Sequence, residues 1–129
     1  MKAEHHFAGS ASSVRAARAF ITEKLANTPK SAVEDAVLIA SELAANAVTH
    51  ANSAFTICVE ETTSHVRIEV RDRGEGAPTL RRPRPEEAYG RGLRIVSELA
   101  RSWGVDEHPE GGKTVWADIA LPNTGRATL

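Results

Sequence analysis

Residues 31–50 read SAVEDAVLIASELAANAVTH. Within this run Val33, Ala36, Val37, Ala40, Ala44, Ala47 and Val48 recur every three or four residues, the spacing of one broad apolar helix face. Ser31 and Glu34 have the spacing of a capping box, so the helix is expected to start there and to run to His50. Glu42 and Asn46 then lie one turn apart on a narrow stripe, bordered by Ile39 and Leu43 on one side and by Leu38 on the other. Both fall at the edge of the core. A partly desolvated carboxylate there can act as a base, and a carboxamide oxygen can coordinate a hard cation such as Mg²⁺. A helix-surface pair satisfied by water is the alternative that the stripe alone leaves open.

On the N-terminal side, a short extended start around His5 to Ala8 leads to Val14, Ala17, Ile21 and Leu25, which mark a first amphipathic helix that Asn27 and Pro29 end. On the C-terminal side the period changes from helical to alternating. Phe55, Ile57 and Val59 alternate with Thr56, Cys58 and Glu60, and Val66, Ile68 and Val70 alternate with Arg67, Glu69 and Arg71. With Thr62 to Ser64 as the turn, this is a hairpin with one apolar face. Periodicity is then lost from Arg73 to Gly92, a stretch of glycines, prolines and arginines too long for an ordinary connection. Leu93, Val96, Leu99 and Ala100 restore a helix, and strands are expected around Trp103 to Glu107 and Thr114 to Leu121. Helices come early, strands form hairpins, and the regular alternation of a doubly wound sheet is missing. The expected fold class is therefore α+β, a two-layer sandwich of a mixed, mainly antiparallel sheet of four or five strands with about three helices on one face.

A chain of 129 residues with 41% apolar content is the size of one domain with a real core, so residues 1–129 are expected to form a single unit with a frayed tail at 123–129. A formal charge of -1 gives no general attraction to nucleic acid or to an anionic membrane, and no stretch has the continuous apolar length of a bilayer span. The lone Cys58 and a start without an apolar signal core point to a cytoplasmic, soluble protein, with Cys58 as a packed strand thiol.

Asp72 shares strand parity with Val66, Ile68 and Val70 and so points toward the helices, where a charge needs a partner. Gly74 and Gly76 follow, permitting a sharp exit and close approach of a ligand to the backbone. A ligand-facing acceptor and a strand-ending aspartate that caps a turn are equally good readings. Gly90-Arg91-Gly92 precedes the Leu93 helix, whose free amides and positive end suit phosphate oxygens. Gly112-Lys113-Thr114 imitates the end of a P-loop, but Glu107 stands where the earlier glycine belongs and a strand follows. Ile95 likewise occupies the third-glycine position of a dinucleotide fingerprint. The five histidines show no metal-ligand spacing, and the arginines from Arg81 to Arg84 are most simply a solvated loop.

In order, Glu42-x-x-x-Asn46, Asp72-x-Gly74-x-Gly76, Gly90-x-Gly92-Leu93 and Gly111-Gly112-Lys113-Thr114 resemble the N box and glycine boxes of the GHKL ATP-binding superfamily. The short length, the Glu42 helix and the Gly-Gly-Lys-Thr-Val-Trp ending are similar to the bacterial anti-sigma factor serine/threonine kinases, over about Val14 to Leu121. The resemblance implies a Bergerat-like ATP-binding fold with ATP and Mg²⁺ as cofactors. Asn46 would hold the Mg²⁺, and Asp72 would accept the adenine amino group. Gly74 and Gly76 would line the base and ribose, residues 77–89 would form the ATP lid, and Gly90, Arg91, Gly92 and Leu93 would contact phosphates. Glu42 would be the general base toward a serine of an anti-anti-sigma (STAS-type) substrate. The resemblance further implies sequestration of a sigma factor and a homodimer. It also puts Thr114 near adenine, whereas alternation sends Thr114 to the opposite face with Trp116 and Asp118, unless a bulge near Gly111 and Gly112 intervenes. A GHKL-fold module that only holds a regulator is the alternative function; the intact pair Glu42 and Asn46 argues against it. A sensor histidine kinase piece is disfavoured, since no helix pair carries a phosphoacceptor histidine.

Overall fold

A computed structural model describes residues 1–51, 53–74 and 91–122, with the backbone alone at 91 and 92. Among these, the element order is β1 (Lys2–Phe7), α1 (Ser12–Lys24), α2 (Lys30–Asn46), a π-helical turn (Ala47–Ala51), β2 (Phe55–Glu61), β3 (His65–Asp72), α3 (Arg91–Leu99), β4 (Ser102–Glu107) and β5 (Lys113–Ala120). The strands form one sheet in the order β1-β2-β3-β5-β4, antiparallel at every pairing. The α+β sandwich is as expected, and its sheet is antiparallel throughout. β5 inserts between β3 and β4, so β4 forms the edge of the sheet opposite β1.

Alternation in the strands decides which face the helices cover. Phe55, Ile57 and Val59 of β2, Val66, Ile68 and Val70 of β3, and Val115, Ala117 and Ile119 of β5 are all buried. They meet Ala17, Ile21 and Leu25 from the first helical segment and Ala36, Ile39, Ala40, Leu43 and Ala44 from α2. Each fully buried branched side chain contributes about 1.5–3 kcal/mol of transfer free energy. The many alanines let α2 lie close to the sheet, where it packs on β3 and β5 and against α1 and α3. At the β1 edge of the sheet Phe7 stacks on Phe55 at 5.1 Å and meets Phe20 edge-on at 6.0 Å, tying β1 to β2 and α1.

Three local expectations change. The extended start is a full edge strand, because Lys2 to Phe7 pair residue by residue with Glu60 to Phe55. The capping box does not form: α2 begins at Lys30, and the carbonyl of Pro29 receives the N–H groups of Ala32 and Val33 at 3.0 and 3.1 Å. Pro29 is held at φ -54 and ψ 139, an extended entry whose backbone does the capping, so no side chain caps the helix. The α-helix also ends at Asn46 instead of His50, and the chain widens into the π turn.

The sheet face away from the helices carries an ionic cluster. Arg67 donates two hydrogen bonds to Asp118, at 2.7 and 3.0 Å, while its guanidinium lies 4.5 Å over the Trp116 ring. Trp116 in turn lies on Gly104, where any Cβ would come within 2.8 Å of the indole. The Arg67 hydrogen bonds hold the buried Asp118 carboxyl below the usual carboxylate range. A depressed carboxyl adds stability above the unfolded value of about 3.9, and that stability is lost as pH falls through the lower folded value. Asp118→Asn is therefore expected to lower the urea midpoint at pH 7, with the gap from the parent narrowing below about pH 3.9. A gap that stays constant with pH would show that the charge contributes nothing.

Candidate nucleotide site

The two polar positions 26 residues apart are brought to the same end of the sandwich by how α2 ends. After Asn46 the π turn carries the chain into β2, whose first residue Phe55 pairs with Asp72, the last residue of β3. Ser53 ties the junction: it is buried, and its hydroxyl accepts the backbone N–H of Arg73 at 3.2 Å and donates to the carbonyl of Ala54 at 2.8 Å. Asn46 and Asp72 are thus both buried at one end of the sandwich, 9% and 4% exposed. Glu42, one turn earlier on α2, is half-buried.

Each of the two buried residues carries an orphan. Among the described residues Asn46 Nδ2 and Asp72 Oδ1 are buried without a hydrogen-bond partner. Such groups are uncommon because each costs about 1–3 kcal/mol, and they mark places where a partner from outside completes the structure. The other oxygen, Asp72 Oδ2, is paired with the ammonium of Lys113, which faces it across the β3–β5 ladder. The inward charge read from strand parity therefore has its partner in Lys113, a residue to which sequence reasoning gave no role.

Glycine backbones wall this corner. Gly74 sits at φ +56 and a Cβ there would come within 2.6 Å of the Gly112 nitrogen; Gly112 sits at φ +84, and its Cβ would fall on the Asp72 carbonyl oxygen. The turn before β5 thus lies directly on the chain leaving β3. Gly112→Ala is expected to destabilise by about 3 kcal/mol or more, summing left-handed strain and a backbone clash. Urea unfolding measures it, and a loss under about 1 kcal/mol would show that this contact yields.

A family model of the histidine kinase-like ATPase domain matches residues 7–119. The chain belongs to the histidine kinase-like ATPase family. The GHKL domain is similar in structure to the RsbU and RsbW domains of Rv1364c from Mycobacterium tuberculosis, with a TM-score of 0.73 and 22% identity. That likeness covers 95% of this chain and 33% of that one, so the GHKL domain spans about a third of the similar chain. At this identity the likeness shows the fold alone. No curated protein matches the sequence.

The expected site residues of the GHKL domain divide by where the fold puts them. Glu42, Asn46, Asp72 and Gly74 gather at the α2–β3 end. Leu93 stands in the first turn of α3, but its side chain is buried in the core, so only its backbone is left to meet an anion. Thr114 lies on the other face. It pairs with Arg71 and Asp106, and its hydroxyl is 2.8 Å from His108 Nε2. No bulge intervenes, because the positive-φ Gly111 and Gly112 stay in the turn and β5 runs in regular register from Lys113. Simple alternation is right: Thr114 faces away from the helices, and Lys113 is the residue of that turn that faces Asp72. Gly76, Gly90, the 77–89 segment and the 123–129 tail lie outside the described residues, as does the side chain of Arg91.

The orphans also test whether Mg²⁺-ATP suits the corner. A buried carboxylate oxygen without a donor suits an exocyclic amine such as that of adenine. A buried amide nitrogen without an acceptor suits an anionic oxygen, and the same amide turned over offers its oxygen to a cation, the two orientations being interchangeable in placement. Both orphans fit the group. Among the described residues no helix is long and apolar enough to cross a membrane.

Proposed function

We propose that this chain is an ATP-dependent protein serine kinase of the anti-sigma type, phosphorylating an anti-anti-sigma (STAS-type) partner and sequestering a sigma factor in the cytoplasm as a homodimer. The observation that carries the reading is the grouping of Glu42, the Asn46 orphan and the Asp72 orphan at one end of the sandwich in a histidine kinase-like ATPase domain. Asp72 Oδ1 accepts the adenine amino group, and Gly74 lets the base lie against the backbone. Asn46 orients the triphosphate end through its amide. Mg²⁺, when bound at Asn46, neutralises charge on the phosphate oxygens. Amides in the first turn of α3, from Arg91 through Gly92 to Leu93, have no partner within the helix and offer further donors to phosphate. Glu42 accepts the proton of the attacking serine hydroxyl, whose oxygen bonds to the terminal phosphorus in line as the bond from that phosphorus to the β–γ bridging oxygen breaks and ADP leaves.

The test is to capture the partner from the native cell on the full chain and to add Mg²⁺ and ATP labelled at the terminal phosphate. Label appearing on a partner serine supports the kinase. Stable capture with all label remaining on nucleotide would favour a module that only holds its partner.

A further inference from the structure

We infer that Lys113 is a positioning residue for the purine, holding Asp72 by one oxygen so that the other is presented, aimed and unsolvated, to the exocyclic amine. This rests on the reading of Asp72 as the adenine acceptor and adds a residue to it. A carboxylate turns about its last bond between two nearly equivalent oxygens, so a lone aspartate offers no single acceptor direction. Here one oxygen is fixed. Lys113 Nζ is paired with Oδ2, and Oδ1 is left buried and without a partner. Both side chains are well covered, at 15% and 4% exposure, so the carboxylate is not free to exchange its lysine for water.

The backbone keeps the ammonium where it is. Lys113 opens β5 directly opposite Asp72, and the residue before it, Gly112, is pressed against the Asp72 carbonyl. The Cα of Lys113 is thereby referenced to the same residue that its side chain holds. The charge matters as well as the position, because a buried carboxylate without a counter-charge is strongly disfavoured, and a protonated one no longer offers two equivalent acceptors.

The experiment compares two probes, ATP and the 5′-triphosphate of purine riboside, which lacks the 6-amino group, on the parent chain and on Lys113→Met, Lys113→Gln and Lys113→Arg. Melting without nucleotide identifies the variants that fold. The parent is expected to prefer ATP by about tenfold to a hundredfold, the usual worth of one hydrogen bond to a charged group. In Lys113→Met, or in Lys113→Gln if the methionine variant does not fold, that preference should fall toward unity, and Lys113→Arg should recover most of it. A merely structural lysine would weaken both probes equally, so an unchanged preference in the methionine or glutamine variant overturns the inference while leaving Asp72 as the acceptor. A parent with no preference overturns the acceptor reading itself, and the inference with it.

Discussion

Replacing Glu42 by glutamine is expected to lower phosphate transfer by about 10²–10⁴-fold while ATP binding stays within about twofold of the parent. Glutamine keeps the volume and hydrogen-bonding reach of the side chain but cannot take a proton. A half-buried residue one turn from the end of α2 also leaves the core almost untouched when it changes, since Leu43 and Ala44 carry the packing there. Single-turnover transfer to the captured partner and equilibrium nucleotide titration separate the two effects. If binding and transfer fall together, Glu42 is part of the nucleotide cradle and the proton goes elsewhere.

Asp72→Asn should remove most of the adenine selectivity and weaken ATP binding by about tenfold or more. The substitution is isosteric, yet it trades a charged acceptor for a neutral amide. One end of that amide faces the Lys113 ammonium, and only its oxygen is tolerated there. The amide nitrogen is then turned toward the corner now held by Oδ1, and it presents a donor to the adenine amine, which is itself a donor. A stability loss of about 1–3 kcal/mol should accompany this, because a largely buried lysine is left with a neutral partner. Calorimetric binding and urea unfolding on the same preparation measure both. Undiminished ATP affinity would show that adenine does not meet this carboxylate.

Why these two residues could be found from sequence, and others could not, follows from the range of the interactions that fix them. The 3.6-residue period of α2 and the alternation of the Phe55–Asp72 hairpin are local, so the apolar face, the position of Glu42 and Asn46 on one stripe, and the inward parity of Asp72 were all legible. Parity said that Asp72 needed a partner but not which one, because the pairing of Asp72 with Lys113 joins residues 41 apart and depends on β5 inserting beside β3. The same alternation that sends Thr114 outward carries Lys113 inward, so the signal was present, and attention to the motif around Thr114 passed over it. Only the stretch around His5 to Ala8 reads as an extended start, and not the full strand Lys2–Phe7, since an edge strand with a polar outer face has little periodicity until its partner is known. The Ser31–Glu34 spacing misled for a different reason: Pro29 already fixes the entry to α2, and its carbonyl takes the first amides. Ser53 had no sequence signal, as one serine in a short loop reads as turn chemistry.

The side-chain amide of Asn46 offers the most direct test of the nucleotide site, because its Nδ2 protons are buried without an acceptor and give their own pair of resonances in a ¹⁵N-correlated NMR spectrum. Titrating the labelled chain with Mg²⁺ and ATP should shift that pair strongly, together with the backbone amides of Asp72, Gly74 and Lys113, while Arg67 and Trp116 on the far face of the sheet stay in place. Saturable binding of ATP that leaves the Asn46 amide and Asp72 unmoved would contradict the account.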